Sequence, residues 1–222
     1  MNTERLHAMK LPAELPDETL GGFLNRLRQI FADMDQKYEK AAAHYGFQCR
    51  GCEDNCCLTR FHHHTFLEFF FIRDGFRLLD PSAQIAIRSK AEAVCRRSAQ
   101  ALKIGSTVRL MCPLNAAGLC RLYPYRPMIC RLHGIPHELH KPGQPVSHGP
   151  GCNFFEEHFY GKPYYKFDRT PFYFEIAGLE NEFKQATGLS GRIKLTIAEM
   201  IIRIEQGAEG IEQGAEGKGC RA

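Results

Sequence analysis

Apolar positions in the first fifth of the chain recur at helical spacing. Leu20, Phe23, Leu24, Leu27, Ile30, Phe31, Met34, Tyr38, Ala41 and Tyr45 follow one another mostly three or four residues apart, which places them on one broad stripe of a helix. Asp17 is a cap and Gly46 a stop, so a long amphipathic helix is predicted between them. Residues 1–16, with Pro12 and Pro16 and no periodicity, read as an arm leading into it. HHHTFLEFFFIRDGFRLL, from His62, reads as a shorter buried helix. Asp80 before Pro81 marks another start, because Asp caps orphan amides and Pro is pre-set for the first helical position. That helix is predicted to run to about Leu102. YFEIAGLENEFKQAT, from Tyr173, is again helical, and Thr196 with Glu199 forms a capping-box pattern ahead of Met200, Ile201, Ile202 and Ile204.

Residues 103–153 break this pattern. Pro113, Pro124, Pro127 and Pro136 interrupt them, and Cys112, Cys120, Cys130 and Cys152 punctuate them, so no long regular element is predicted. Ten aromatics crowd the stretch from Phe154 to Phe174. A substrate groove or a base-stacking platform is conceivable, but core lid is the better reading, one that keeps water from a metal. The heptapeptide IEQGAEG occurs from Ile204 and again from Ile211, and with so few apolar side chains residues 207–222 read as a disordered tail. The expected architecture is mainly α: a single helical domain over 17–206 with irregular cysteine-rich metal-binding loops, its motif core at 49–152.

Composition narrows the chemistry. At 222 residues and 44% hydrophobic, the chain can bury a core without disulfides. The longest apolar stretch, FLEFFFI from Phe66 to Ile72, falls far short of the ~20 residues of a membrane span, so no membrane partner is expected. The start has no apolar signal region, which makes the cytosol the expected compartment. There thiols stay reduced, and ten cysteines point to metal or redox work. A net charge of +4 gives no basis for nucleic acid binding.

Cys49, Cys52, Cys56 and Cys57 are separated by two, three and no residues. Three thiolates in one turn can serve one metal centre. Adjacent Cys56 and Cys57 rarely address the same ion, so one of them looks away or the site holds several metal atoms. Cys112, Cys120, Cys130 and Cys152 lack the second close pair of a zinc ribbon, which favours an iron-sulfur cluster over zinc. All eight are candidate ligands. Cys95 reads as a core thiol in its helix and Cys220 as an exposed thiol in the tail. Among His62, His63 and His64, one or two at most can face a site. His133 and His148, near Cys130 and Cys152, could each replace a cysteine. Arg126 and Arg131, with Arg121, are candidates to offset the charge of clustered thiolates from a loop stiffened by Pro124 and Pro127.

The run CRGCEDNCC, together with CPLNAAGLCRLYPYRPMICRLHG from Cys112 to Gly134, resembles the YkgJ-like cysteine-cluster family, described as a zinc- or iron-chelating domain. The resemblance lies in Cys112-Pro113, Gly118 before Cys120, Tyr123, Arg126-Pro127 and Cys130-Arg131, and it covers residues 49–152. Three residues rather than two precede the Cys56-Cys57 pair here. The resemblance implies a metal or iron-sulfur site and kinship with flagellin lysine-N-methylases, without fixing a reaction. No phosphate-cradling glycine loop, GxSxG elbow, HExxH motif or recognisable S-adenosylmethionine site occurs. Two functions follow as expectations. One is a cytosolic iron-sulfur protein for electron transfer or an oxidoreductase or modification reaction, with a redox or protein partner. The other is a non-catalytic zinc module that stabilises a domain binding another protein.

Overall fold

The computed structural model describes residues 17–49, 56–106 and 108–209, arranged as seven α-helices with two small antiparallel sheets. Helix α1 (Asp17–Tyr45) follows the predicted stripe: Leu20, Leu24, Leu27, Phe31, Met34, Ala41 and Tyr45 are buried, while Phe23, Ile30 and Tyr38 pack along its flanks. Gly46 ends it with φ +69°, a value only glycine adopts without strain. The Phe47 amide then donates to the Ala42 carbonyl (2.8 Å) and the Gly46 amide to Ala43 (3.0 Å), the paired bonds of a Schellman stop.

Helix α2 (Phe66–Arg77) is buried nearly all round and touches α1 and two later helices, α6 (Thr170–Thr187) and α7 (Ile197–Glu209). It starts four residues later than His62, because His62–His64 run extended and His63 pairs with Leu195 in an antiparallel bridge. A buried helix start needs a partner for each orphan amide. Glu180 of α6 accepts from Phe66 (3.0 Å) and Leu67 (3.2 Å), the Thr65 hydroxyl accepts from Glu68 (3.2 Å), and the Thr65 carbonyl accepts from Phe69 (3.3 Å).

Helix α3 (Pro81–Lys103) begins where Asp80 predicts, its carboxylate accepting from the Ala83 amide at 2.8 Å. Its buried stripe, Ile87, Ala91, Cys95 and Ala99, is narrow and small, and α3 lies against α7. The Thr196–Glu199 capping box forms reciprocally: Thr196 Oγ1 accepts from the Glu199 amide (3.3 Å) and Glu199 Oε2 from the Thr196 amide (2.7 Å). The helix it starts reaches Glu209, three residues past the expected boundary at 206. Residues 1–16 and 210–222, with most of the expected arm and tail, lie outside the described residues.

Residues 104–152 contain only short elements, as their prolines predict. Strands β1 (Asn115–Ala116) and β2 (Leu119–Cys120) form one hairpin, and β3 (His137–Leu139) with β4 (Ser147–Gly149) a second. Between the hairpins lie a 3-10 turn (Tyr123–Tyr125) and helix α4 (Met128–Arg131). The aromatic block is partly helical: α5 (Asn153–Phe159) and the first residues of α6 fall within it, both unforeseen from the pattern. Only part of it is core: Phe155, Phe167 and Phe172 are buried, with Phe155 edge-on to Tyr45 (4.8 Å between centroids) and near Phe47 (5.6 Å), while Tyr160, Tyr164, Tyr173 and Phe174 are exposed. No helix among the described residues is long and apolar enough to cross a membrane.

Candidate functional site

Cys56, Cys57, Cys112, Cys120 and Cys130 line one largely apolar cavity of about 80 Å³. Short-range geometry brings them there. A 3-10 turn (Cys56–Leu58) carries the first pair, and the Cys112 amide donates to the Cys57 carbonyl at 2.7 Å, fastening the two cysteine blocks backbone to backbone. Asn115 accepts the Gly118 amide at 3.1 Å inside a two-residue hairpin turn whose central residues, Ala117 and Gly118, both have positive φ. That twist suits the strands it joins and delivers Cys120. Arg126 precedes a proline and is therefore extended, and Pro127 opens the short helix bearing Cys130. The α4 start is tied to the body by Glu68, whose buried carboxylate accepts from the Met128 amide (3.0 Å) and from the Thr65 hydroxyl (2.8 Å). Burial pushes the Glu68 carboxyl above its ordinary range.

The thiols are electrostatically coupled. Hydrogen bonds from Cys112 and Cys56, helped by Asn115 and the nearby His133, pull the Cys57 thiol well below the usual thiol range. Donating to Cys57 raises Cys56 and Cys112 in turn, and burial adds to both. Burial also pushes Cys120 and Cys130 up, with neighbouring sulfurs reinforcing the shift and Arg126 opposing it. Thiolates packed in a dry pocket repel one another, so Cys56, Cys112, Cys120 and Cys130 are held in their protonated form beside Cys57.

The other predicted residues divide. Cys49 is exposed, close enough to Cys56 to raise its pKa but off the cavity wall. Cys152 is buried at the start of α5 and lines an adjoining cleft of about 550 Å³ with His133, Arg60 and Arg109. Cys52 lies outside the described residues. Cys95 is disulfide-bonded rather than the core thiol expected from its helix; Cys220 is outside the described residues. Arg126 lines the cavity, stacks on Tyr123 (3.6 Å) and donates to the Tyr123 carbonyl at 3.0 Å. Arg131 points elsewhere: it donates to Asp35 of α1 (2.5 Å) and to the Arg126 carbonyl (2.7 Å), over the Phe31 ring. Arg121 is 3.9 Å from Asp80. His148 is exposed on β4 beside Tyr164. None of the aromatics between Phe154 and Phe174 lines the cavity, so the block is not its lid, and only part of it is core.

Sequence reading passed over Glu68, although a lone carboxylate inside FLEFFFI was a signal. It also passed over Asn115, which carried none. The donor types fit a soft metal ion or cluster, since thiolates dominate. Among the described residues, however, no group of three or more His, Cys, Asp or Glu side chains is placed to hold a metal ion as it stands. Compared with known proteins, the chain matches no family model, no curated protein and no solved structure.

Proposed function

We propose that the protein is a cytosolic metal-binding protein of the YkgJ-like kind, holding an iron-sulfur cluster for electron transfer or an oxidoreductase or modification reaction with a redox or protein partner. The observation that carries this reading is the convergence of five thiols, from segments as far apart as Cys56 and Cys130, on one cavity. A core that needed only small apolar side chains would not gather sulfurs that raise one another's pKa. Cys57, Cys112, Cys120 and Cys130 are the ligands proposed first, with Cys56 beside them and Cys49 and Cys52 on the adjoining segment. Arg126 offsets their charge. When bound, the cluster would supply one-electron chemistry, its potential set by hydrogen bonds, net charge and solvent exclusion.

Zinc is the second reading, favoured by one observation: the Cys57 and Cys112 sulfurs are already in hydrogen-bond contact, a pair of the four donors that tetrahedral zinc needs. Anaerobic purification with metal and sulfide analysis separates the two. The expected product is brown, contains iron and acid-labile sulfide, and bleaches on reduction. Serine at Cys57, Cys112 or Cys130 should remove metal and stability together, because metal binding and folding share free energy. Colourless protein with stoichiometric zinc from iron-replete cells would replace the cluster with the zinc module. Protein that takes up neither metal would end both readings.

A further inference from the structure

One polar group on the wall of the thiol cavity has no hydrogen-bond partner among the described residues. His63 is 2% exposed, and its Nε2 is buried with no hydrogen-bond partner. Its backbone is held rigidly. The amide donates to the Leu195 carbonyl at 2.8 Å and the carbonyl accepts from the Leu195 amide at 3.0 Å, so the ring is delivered to the cavity from a fixed strand-like segment. An orphaned buried nitrogen destabilises the fold, and a packing role would be filled better by leucine or phenylalanine. Burial, reinforced by flanking His62 and His64, keeps the imidazole neutral, the form in which a ring nitrogen can offer its lone pair. Other orphaned groups, such as His137 Nδ1, do not line this cavity.

We propose that His63 is a nitrogen donor to the metal held in the thiol cavity, making its ligand set mixed sulfur and nitrogen. This inference rests on the metal-binding reading above. Exchanging one thiolate for a neutral imidazole removes a negative charge from the site and shifts its potential upward. Cysteine-only ligation, by contrast, leaves the buried Nε2 unexplained.

The test uses the full chain, reconstituted anaerobically with ferrous iron and sulfide, with histidine labelled by ¹⁵N. In pulsed EPR of the reduced protein, a nitrogen coupling that changes with the label is expected in the wild type and should be lost in His63→Leu. That variant should also hold metal more weakly, by tenfold or more in a chelator competition. His63→Cys should recover metal with an altered absorption spectrum. The metal-free His63→Leu protein should unfold at the same or higher denaturant than the metal-free wild type. A variant with unchanged metal affinity and spectra overturns the inference and leaves the metal-binding reading intact. So does a His63→Leu protein destabilised equally with and without metal, which would make His63 a packing residue. A wild type that takes up no iron, in parallel with unaffected cysteine variants, overturns both.

Discussion

Helix α2 and the segment from Cys112 to Ile135 touch one another, yet they are held in different ways. In α2 the contacts are apolar and continuous: Phe66, Leu67, Phe69, Phe70, Phe71, Ile72 and Phe76 are all buried in one core with α1, α6 and α7. In the cysteine-bearing segment, Leu114, Leu122, Leu132 and Ile135 join the same core, but as residues scattered along turns rather than as one continuous face. Its shape depends on polar ties to the body. Arg131 reaches Asp35, Glu68 holds the Met128 amide, and the Tyr38 hydroxyl donates to the His133 carbonyl at 2.7 Å. Buried Arg169 donates to the carbonyls of Leu132 and Ile135. The body therefore rests on continuous apolar burial, while the segment combines scattered apolar contacts with a few directional bonds. A metal would add to the second region what the first already has.

The largest effect expected is in the body. Phe70→Ala should cost about 3–5 kcal/mol by denaturant unfolding, as transfer and cavity terms add. Cys120→Ser, measured in metal-free protein, should cost about 1 kcal/mol or less. Equal costs would erase the distinction between the regions.

A smaller effect is expected at their joint. A Cβ at Gly75 would collide with the ring and Cβ of Tyr125, where the segment's 3-10 turn seats on α2. Glycine to alanine inside a helix ordinarily stabilises, by up to ~1 kcal/mol. Here Gly75→Ala should instead destabilise by about 1–3 kcal/mol through overpacking. In the Tyr125→Ala background the sign should revert, and a double-mutant cycle reads the coupling. Independent effects of the two changes would mean the regions are not in close register.

The smallest effect concerns pH. His137 on β3 is pushed down to about 4 by burial and by the Arg169 guanidinium. The unfolded chain, with an ordinary histidine pKa of 6.5, takes up this proton first. The contribution of the neutral ring to stability is thus complete above pH 6.5 and is lost progressively as pH falls toward 4. Subtracting the melting profile of His137→Gln from that of the wild type should isolate a slope confined to this window. A flat difference would place His137 in water rather than against Arg169.

The same division decides what could be read from the sequence. Periodicity and caps revealed the body: Gly46, Asp80-Pro81 and Thr196 with Glu199 all act at the ends they announce. Where apolar residues ran on without a period, as from Phe154 to Phe174, the starts of α5 and α6 were hidden. Cys56, Cys57, Cys112, Cys120 and Cys130, whose spacing made them candidates, line one cavity. Cys152 does not join them, because the β3–β4 hairpin fills the gap after Cys130 and returns the chain to Gly134, whose carbonyl accepts the Cys152 amide at 3.0 Å. The direction of Arg131 was illegible for a related reason. Its partner Asp35 is 96 residues away, and nothing local announces it.

The Glu180 cap of α2 also sets a schedule. The amides of Phe66 and Leu67 are synthesised well over a hundred residues before the carboxylate that satisfies them. At ~5–20 residues per second, the ribosome leaves this largely buried helix without its cap for on the order of ten seconds. During that interval the thiols of both cysteine blocks have already emerged into a half-built body. The nascent chain therefore passes through a stage in which this buried helix start is uncapped and its sulfurs unsheltered, and that stage ends only once Glu180 has been made.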